Sequence, residues 1–144
     1  MTRVDFYILP ETDGPGGSVV MTACKLCDKA TLGGSRVYVY APTAELVDAL
    51  DSALWSFRQG SFIGHERHPG ELQPPLPAVL IGSEEPPDAY QQILINLGAE
   101  VPPFFSRFDR VLEIVEGAAA PRAQSRVRFK FYRDRGYELN THNL

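Results

Sequence analysis

Two runs rich in β-branched and aromatic residues, each followed by a segment of helical periodicity, constrain the fold of this chain more than any other feature. "RVDFYIL" (Arg3 to Leu9) reads as a strand, ended by Pro10 and the glycine run "DGPGG". "SVVMTACKLCDKATLGG" then reads as a helix, with Ser18 as N-cap and Gly33 near its C-terminus. "SRVYVYAP" gives a second strand and "TAELVDALDSALW" a second helix, in which Thr43 with Leu46, Leu50 and Leu54 keep an apolar stripe at helical spacing. This strand-helix alternation predicts a largely parallel sheet covered by helices. "AVLIG", "QILINL" and "RVLEIV" supply three more strand-length runs, for a sheet of about five strands. The link from Ser83 to Tyr90 is short for a helical crossover, which leaves the hand of that connection open. The stretch from Ser56 to Pro77, broken by Gly and Pro, is expected to be a long loop.

At 144 residues with 44% apolar and 22% charged residues, the chain is expected to form one domain, 1–144, whose core needs neither disulfide nor metal. The N-terminus lacks the pattern of a secretory signal, and no apolar run is long enough to cross a bilayer, so a cytoplasmic location is expected.

Charge is distributed unevenly. The overall net charge is −4, yet the segment from Arg122 to Arg135 holds six basic residues and one acid, a net +5, while the other 8 Lys and Arg and 17 Asp and Glu leave the remainder at −9. An acidic chain disfavours general adhesion to nucleic acid or anionic membrane, whereas a local cluster attracts a selective anionic partner. A helix from Pro121 to about Gly136 would place Ala120, Ala123, Val127 and Phe131 on the core face. Arg122, Arg126, Phe129, Lys130 and Arg133 would form a second stripe. A ring bordered by guanidinium and ammonium groups suits a ligand that is part anion and part hydrophobe, such as the carboxyl end of a peptide. Single-stranded nucleic acid, stacked on aromatics and paired through phosphates, is the competing ligand.

Other motifs carry less chemistry. Cys24 and Cys27 lie mid-helix after an apolar run, a poor setting for thiol activation, and read as buried packing. Gly14 and Gly16 fit a dinucleotide fingerprint, but Val19 stands where its third glycine is needed. His65 and His68, with Glu66 and Glu71 nearby and His142 the other histidine, offer metal-ligand chemistry without a fixed geometry. No catalytic residues, metal or cofactor are expected. Trp55, Phe57, Phe62 and Ile63 form an aromatic-rich stretch that suits either burial or a protein interface.

The segments "FYIL", "RVYVYAPTAELVDALDSALW", "SFIGH", "ILINL" and "RFKFYRDRGYELNTHNL" together resemble the chi-subunit family of bacterial DNA polymerase III holoenzyme, accessory proteins of the clamp-loader assembly. The resemblance spans nearly the whole chain. It implies a three-layer α/β/α sandwich, Rossmann-like without a nucleotide site. The implied role is that of a non-catalytic adaptor, joined to the clamp loader through a psi-type subunit and to the acidic C-terminal tail of single-stranded-DNA-binding protein, with DNA contacted only indirectly. Carried over position by position, the tail site falls on Arg122, Arg126, Phe129, Lys130, Asn140 and Thr141, and the psi-type interface includes Trp55 and Phe62. Phe129 replaces a common Tyr, and Gly64 stands where Pro can occur. Direct single-strand binding and a nucleotide-binding α/β domain are the alternatives.

Overall fold

The apolar runs become adjacent strands because each is too short and too hydrophobic to rest anywhere but between two covering layers. The protein's structure is a computed structural model that describes residues 1–11, 17–57 and 63–144. Seven strands form one sheet, β1 (Arg3–Ile8), β2 (Val37–Tyr40), β3 (His65–His68), β4 (Val79–Gly82), β5 (Ile93–Asn96), β6 (Arg110–Val115) and β7 (Glu138–Asn143). Their order is β3-β4-β2-β5-β6-β1-β7, and every pairing is parallel.

Helices α1 (Gly17–Leu32) and α2 (Ala44–Ser56) cover one face, and α3 (Ala119–Asp134) the other. On the first face Val19, Ala23, Cys24 and Cys27 of α1, with Leu50 and Leu54 of α2, bury against Val39, Ile81, Ile95 and Ile114. On the second, Tyr132 of α3 joins Phe6, Tyr38, Leu80, Leu94 and Val111, with Phe104, Phe105 and Phe108 supplied by the segment before β6. The α/β sandwich class therefore holds, with seven strands rather than about five.

The two additional strands are the outermost ones. β3 lies within the expected loop, and β7 follows the last helix where no strand was anticipated. The short link from β4 to β5 crosses β2 without a helix. Tyr38 of β2 donates its hydroxyl to the Glu84 carbonyl of that link, and Tyr90 buries beside it. Ser18 lies inside α1, which begins at Gly17, and Thr43 caps α2 by accepting from the Leu46 N–H at 3.2 Å.

Candidate functional site: the basic flank of α3 above β7

Helix α3 carries the basic cluster, and its orientation decides which cations reach solvent. The predicted core face is mostly not the observed one: Phe131 packs half-buried against the core, but Ala120 and Ala123 are exposed, Val127 is 72% exposed, and the buried residues are Ser125, Arg128 and Tyr132. The cause lies on β6, whose Glu113 is completely buried beneath the helix. A buried carboxylate needs donors. Arg128 Nε supplies one at 2.9 Å to Oε1, Tyr132 Oη one at 2.7 Å to Oε2, and Asn96 Nδ2 lies 3.0–3.1 Å from both oxygens. Arg128 Nη1 also donates to the Ala99 carbonyl at 2.9 Å. Burial pushes the Glu113 carboxyl up, against the charge of Arg128 and these hydrogen bonds.

This anchoring fixes the two flanks of α3. Arg128 reaches β6 and the loop after β5, whereas the Phe129 ring meets Phe6 of β1 with centroids 5.4 Å apart. The flank that continues from Phe129 through Arg122, Arg126 and Arg133 therefore overhangs the β7 side of the sheet, with Lys130 on its solvent edge. Of the six cations, Arg128 is spent on Glu113. Arg135 turns back over the Phe131 ring, 3.6 Å from its centroid, and Arg133 sits 3.5 Å from Asp134. Arg122 Nη1 is 3.8 Å from Glu11 Oε1, and its Nε is shielded from solvent without a hydrogen-bond partner among the described residues. Arg126 and Lys130 are exposed and form no ion pair among the described residues.

The turn from α3 into β7 is built by Gly136. Its φ of +80° is the left-handed conformation that glycine adopts without a Cβ clash, and the Gly136 and Tyr137 N–H groups close the helix on the Arg133 and Tyr132 carbonyls at 3.0 and 3.2 Å. β7 then pairs with β1 in the register Asp5 to Asn140, Phe6 to Thr141 and Tyr7 to His142. Alternation along the strand puts Thr141 on the α3 face with Phe6, and Asn140 on the opposite face with Asp5. Arg122, Arg126, Phe129 and Lys130 thus lie on the same side of the sheet as Thr141, and Asn140 lies on the other.

On that opposite face the Asp5 carboxylate accepts from Arg110 Nη2 at 2.9 Å and lies 3.2 Å from His142 Nε2, while the His142 ring stacks on Tyr7 at 4.6 Å. Burial pushes Asp5 up, but hydrogen bonds from Arg110 and His142 and the charges of Arg110 and Arg3 outweigh it and hold it below the usual carboxylate range. Sequence spacing does not reveal this cluster, because β6 brings Arg110 and β7 brings His142 to Asp5 from distant parts of the chain.

The second expected interface lies at the other end of the sheet. Trp55 of α2 is 62% exposed and meets the buried His65 ring edge-on at 5.2 Å. His65 Nδ1 bonds the Ile63 carbonyl at 2.7 Å, and Nε2 lies 3.3 Å from Asp51 of α2. Arg67 adds an ion pair to Asp51 at 3.2 Å and a second to Asp48. Trp55 therefore projects from a helix end tied firmly to β3. Phe62 lies outside the described residues, as do Gly14 and Gly16.

The remaining motifs are structural. Cys24 and Cys27 pack into the core, and burial pushes the Cys24 thiol up to about 11 and that of Cys27 higher still. His65 and His68 are strand residues, with His68 Nε2 against the Glu85 carbonyl at 2.8 Å, and no group of three or more His, Cys, Asp and Glu converges among the described residues. At the carboxyl ends of the strands, where doubly wound domains bind nucleotides, a crevice of about 280 Å³ is lined by Val19, Leu46, Leu97, Ile114, Glu116 and Arg128. Its walls are mostly apolar, its carboxylate repels phosphate, and its guanidinium is engaged by Glu113.

Fold and site define an α/β sandwich domain with an all-parallel sheet and an exposed basic flank on α3. The chain belongs to the DNA polymerase III chi subunit family: the profile described as DNA polymerase III chi subunit, HolC, matches residues 1–140. It is 40% identical to DNA polymerase III subunit chi of Pseudomonas aeruginosa over 144 residues, covering 100% of this chain and 98% of that one. Identity to the subunit of the same name is 27% over 139 residues in Haemophilus influenzae, covering 96% and 95% of the two chains. In Escherichia coli it is 25% over 143 residues, covering 98% and 97%. Among solved structures, T4 UvsW superposes with a TM-score of 0.65 at 8% identity, over 99% of this chain and 42% of that one, a likeness of fold alone. Family membership makes this an accessory, non-catalytic subunit of a DNA polymerase III holoenzyme that acts in replication among protein partners. No helix among the described residues is long and apolar enough to cross a membrane.

Proposed function

We propose that this subunit is the adaptor that tethers the clamp-loader assembly to the acidic C-terminal tail of single-stranded-DNA-binding protein, through the groove between α3 and β7. The observation that carries this reading is the pairing state of the helix flank. Arg126 and Lys130 reach solvent without counter-ions among the described residues, and beside them the Arg122 Nε has no hydrogen-bond partner among those residues. Phe129, half-buried against Phe6, offers apolar contact between them. A peptide ending in an aromatic residue and a free carboxylate matches each of these groups.

A labelled acidic peptide ending in Asp-Phe-Pro-Phe should bind in fluorescence anisotropy and weaken with added salt. Amidating its C-terminus should cost at least about tenfold in affinity, because a charge-assisted hydrogen bond is lost. Equal binding of the amidated peptide would remove the basis of the proposal.

A psi-type partner would dock through Trp55 and Phe62; Trp55, at the opposite end of the sheet, offers an exposed indole on a rigid support, which favours this reading. Trp55→Glu should abolish co-purification with that partner while leaving tail-peptide affinity unchanged, since the two surfaces lie on different elements. Loss of both together would point to unfolding or to a shared surface.

A further inference from the structure

The outer edge of β7 is open. Among the described residues the strand pairs only with β1, in an unbroken six-residue register from Arg3 opposite Glu138 to Ile8 opposite Asn143. It has few of the usual edge guards, for it contains no proline, no Lys or Arg and no bulge, and its one acidic residue, Glu138, stands at its start. Leu144 donates its N–H to the Ile8 carbonyl at 2.9 Å. Main-chain groups in a parallel ladder turn alternately to one neighbour and then the other. Asn140 and His142 therefore direct theirs to β1, and Leu139, Thr141 and Asn143 direct theirs outward. The side chains of these three residues also share the α3 face, beneath the flank that carries Arg126 and Lys130.

Charge selects the occupant. Edge-to-edge pairing of two copies would bring two sets of unpaired cations together, which disfavours a second copy of this chain. An acidic strand reverses that sign. We propose that an extended acidic peptide adds to β7 as an eighth strand, its main chain bonded to Leu139, Thr141 and Asn143 and its alternate side chains alongside Arg126 and Lys130. This rests on the acidic-tail reading above and adds to it a main-chain mode of capture, in which affinity comes from the ladder as well as from the terminal carboxylate.

Thr141→Pro isolates this mode. It removes an outward N–H without touching the β1 ladder, and proline is tolerated on an edge strand whose N–H faces solvent. The variant should bind the acidic Asp-Phe-Pro-Phe peptide at least about tenfold more weakly, whereas Thr141→Val, which changes the side chain and keeps the N–H, should lose clearly less than the proline variant. In the unmodified protein, amide hydrogen exchange at Thr141 and Asn143 should slow when peptide is added, a measurement that stands even if the proline variant folds poorly. Wild-type affinity in Thr141→Pro together with unchanged exchange overturns strand addition and leaves the tail reading intact, while absence of peptide binding to the unmodified protein overturns both. Protection of the same amides without peptide, accompanied by a dimer in sedimentation, would assign the edge to a second copy instead.

Discussion

Replacing Arg128 with methionine is expected to lower the stability of the fold by about 3–5 kcal/mol, the usual cost of leaving a buried charge without its partner. Methionine preserves much of the volume of the arginine stem, so the loss isolates the charge and its hydrogen bonds rather than packing. Glu113 would then retain only Asn96 and Tyr132, both neutral donors, in a position with no access to water. Burial already pushes its carboxyl up, and without the guanidinium it would rise further. An acid whose folded-state value is raised contributes stability below its unfolded-state value, near 4.5, and loses that contribution as pH rises through the folded-state value. The deficit of Arg128→Met relative to the unmodified protein should therefore shrink toward acidic pH and be largest at neutral and alkaline pH, as read by urea denaturation across that range. Adding Glu113→Gln to Arg128→Met should recover much of the loss at neutral pH, because an amide can stay neutral between Asn96 and Tyr132. A single variant that denatures at the same urea concentration as the unmodified protein at pH 8 would refute this account.

Arg126→Glu is expected to weaken tail-peptide binding about thirtyfold, on the order of 2 kcal/mol, since it removes an attraction and adds a repulsion beside Lys130. The side chain is exposed and free of ion pairs among the described residues, so the melting temperature should stay within the narrow range of surface substitutions. Phe129→Ala is a less clean probe than its place in the stripe suggests. Its ring contacts Phe6, and truncation should reduce stability as well as affinity. Unchanged affinity in Arg126→Glu, measured by anisotropy at low salt, would show that the helix flank is only a solvated surface.

The parts of the fold that announce themselves in the sequence are those buried on both faces. β1, β2, β4, β5 and β6 are predominantly apolar because covering layers lie above and below them. β3 and β7, "HERH" and "ELNTHN", are polar edge strands held by a ladder to one neighbour, and hydropathy carries no trace of that ladder. The orientation of α3 departs from its apolar periodicity for a related reason. Arg128 looks like a surface residue until Glu113 is seen beneath it, while Val127 looks like a core residue with no core to enter. The groove was legible as far as helical spacing reaches, which joins Arg122, Arg126, Phe129 and Lys130. Thr141 and Asn140, adjacent in the chain, point to opposite faces of β7. That separation follows only once β7 is known to be a strand.

The position of β1 has a consequence for the order in which the molecule is made. This first strand lies between β6 and β7, so both its neighbours are drawn from the final third of the chain, and Arg3 waits for Arg110 and Glu138. Pairings so distant along the chain make for slow folding, since a long loop must close before any of them is rewarded. A nascent chain can complete its β2-centred half while β1 still lacks partners. Phe6, against which Phe129 packs, is synthesised well before the residues of α3 and β7 that surround it. Capacity to hold a ligand there is thus acquired only with the last strand, and an unfinished or truncated copy has no groove with which to compete for one.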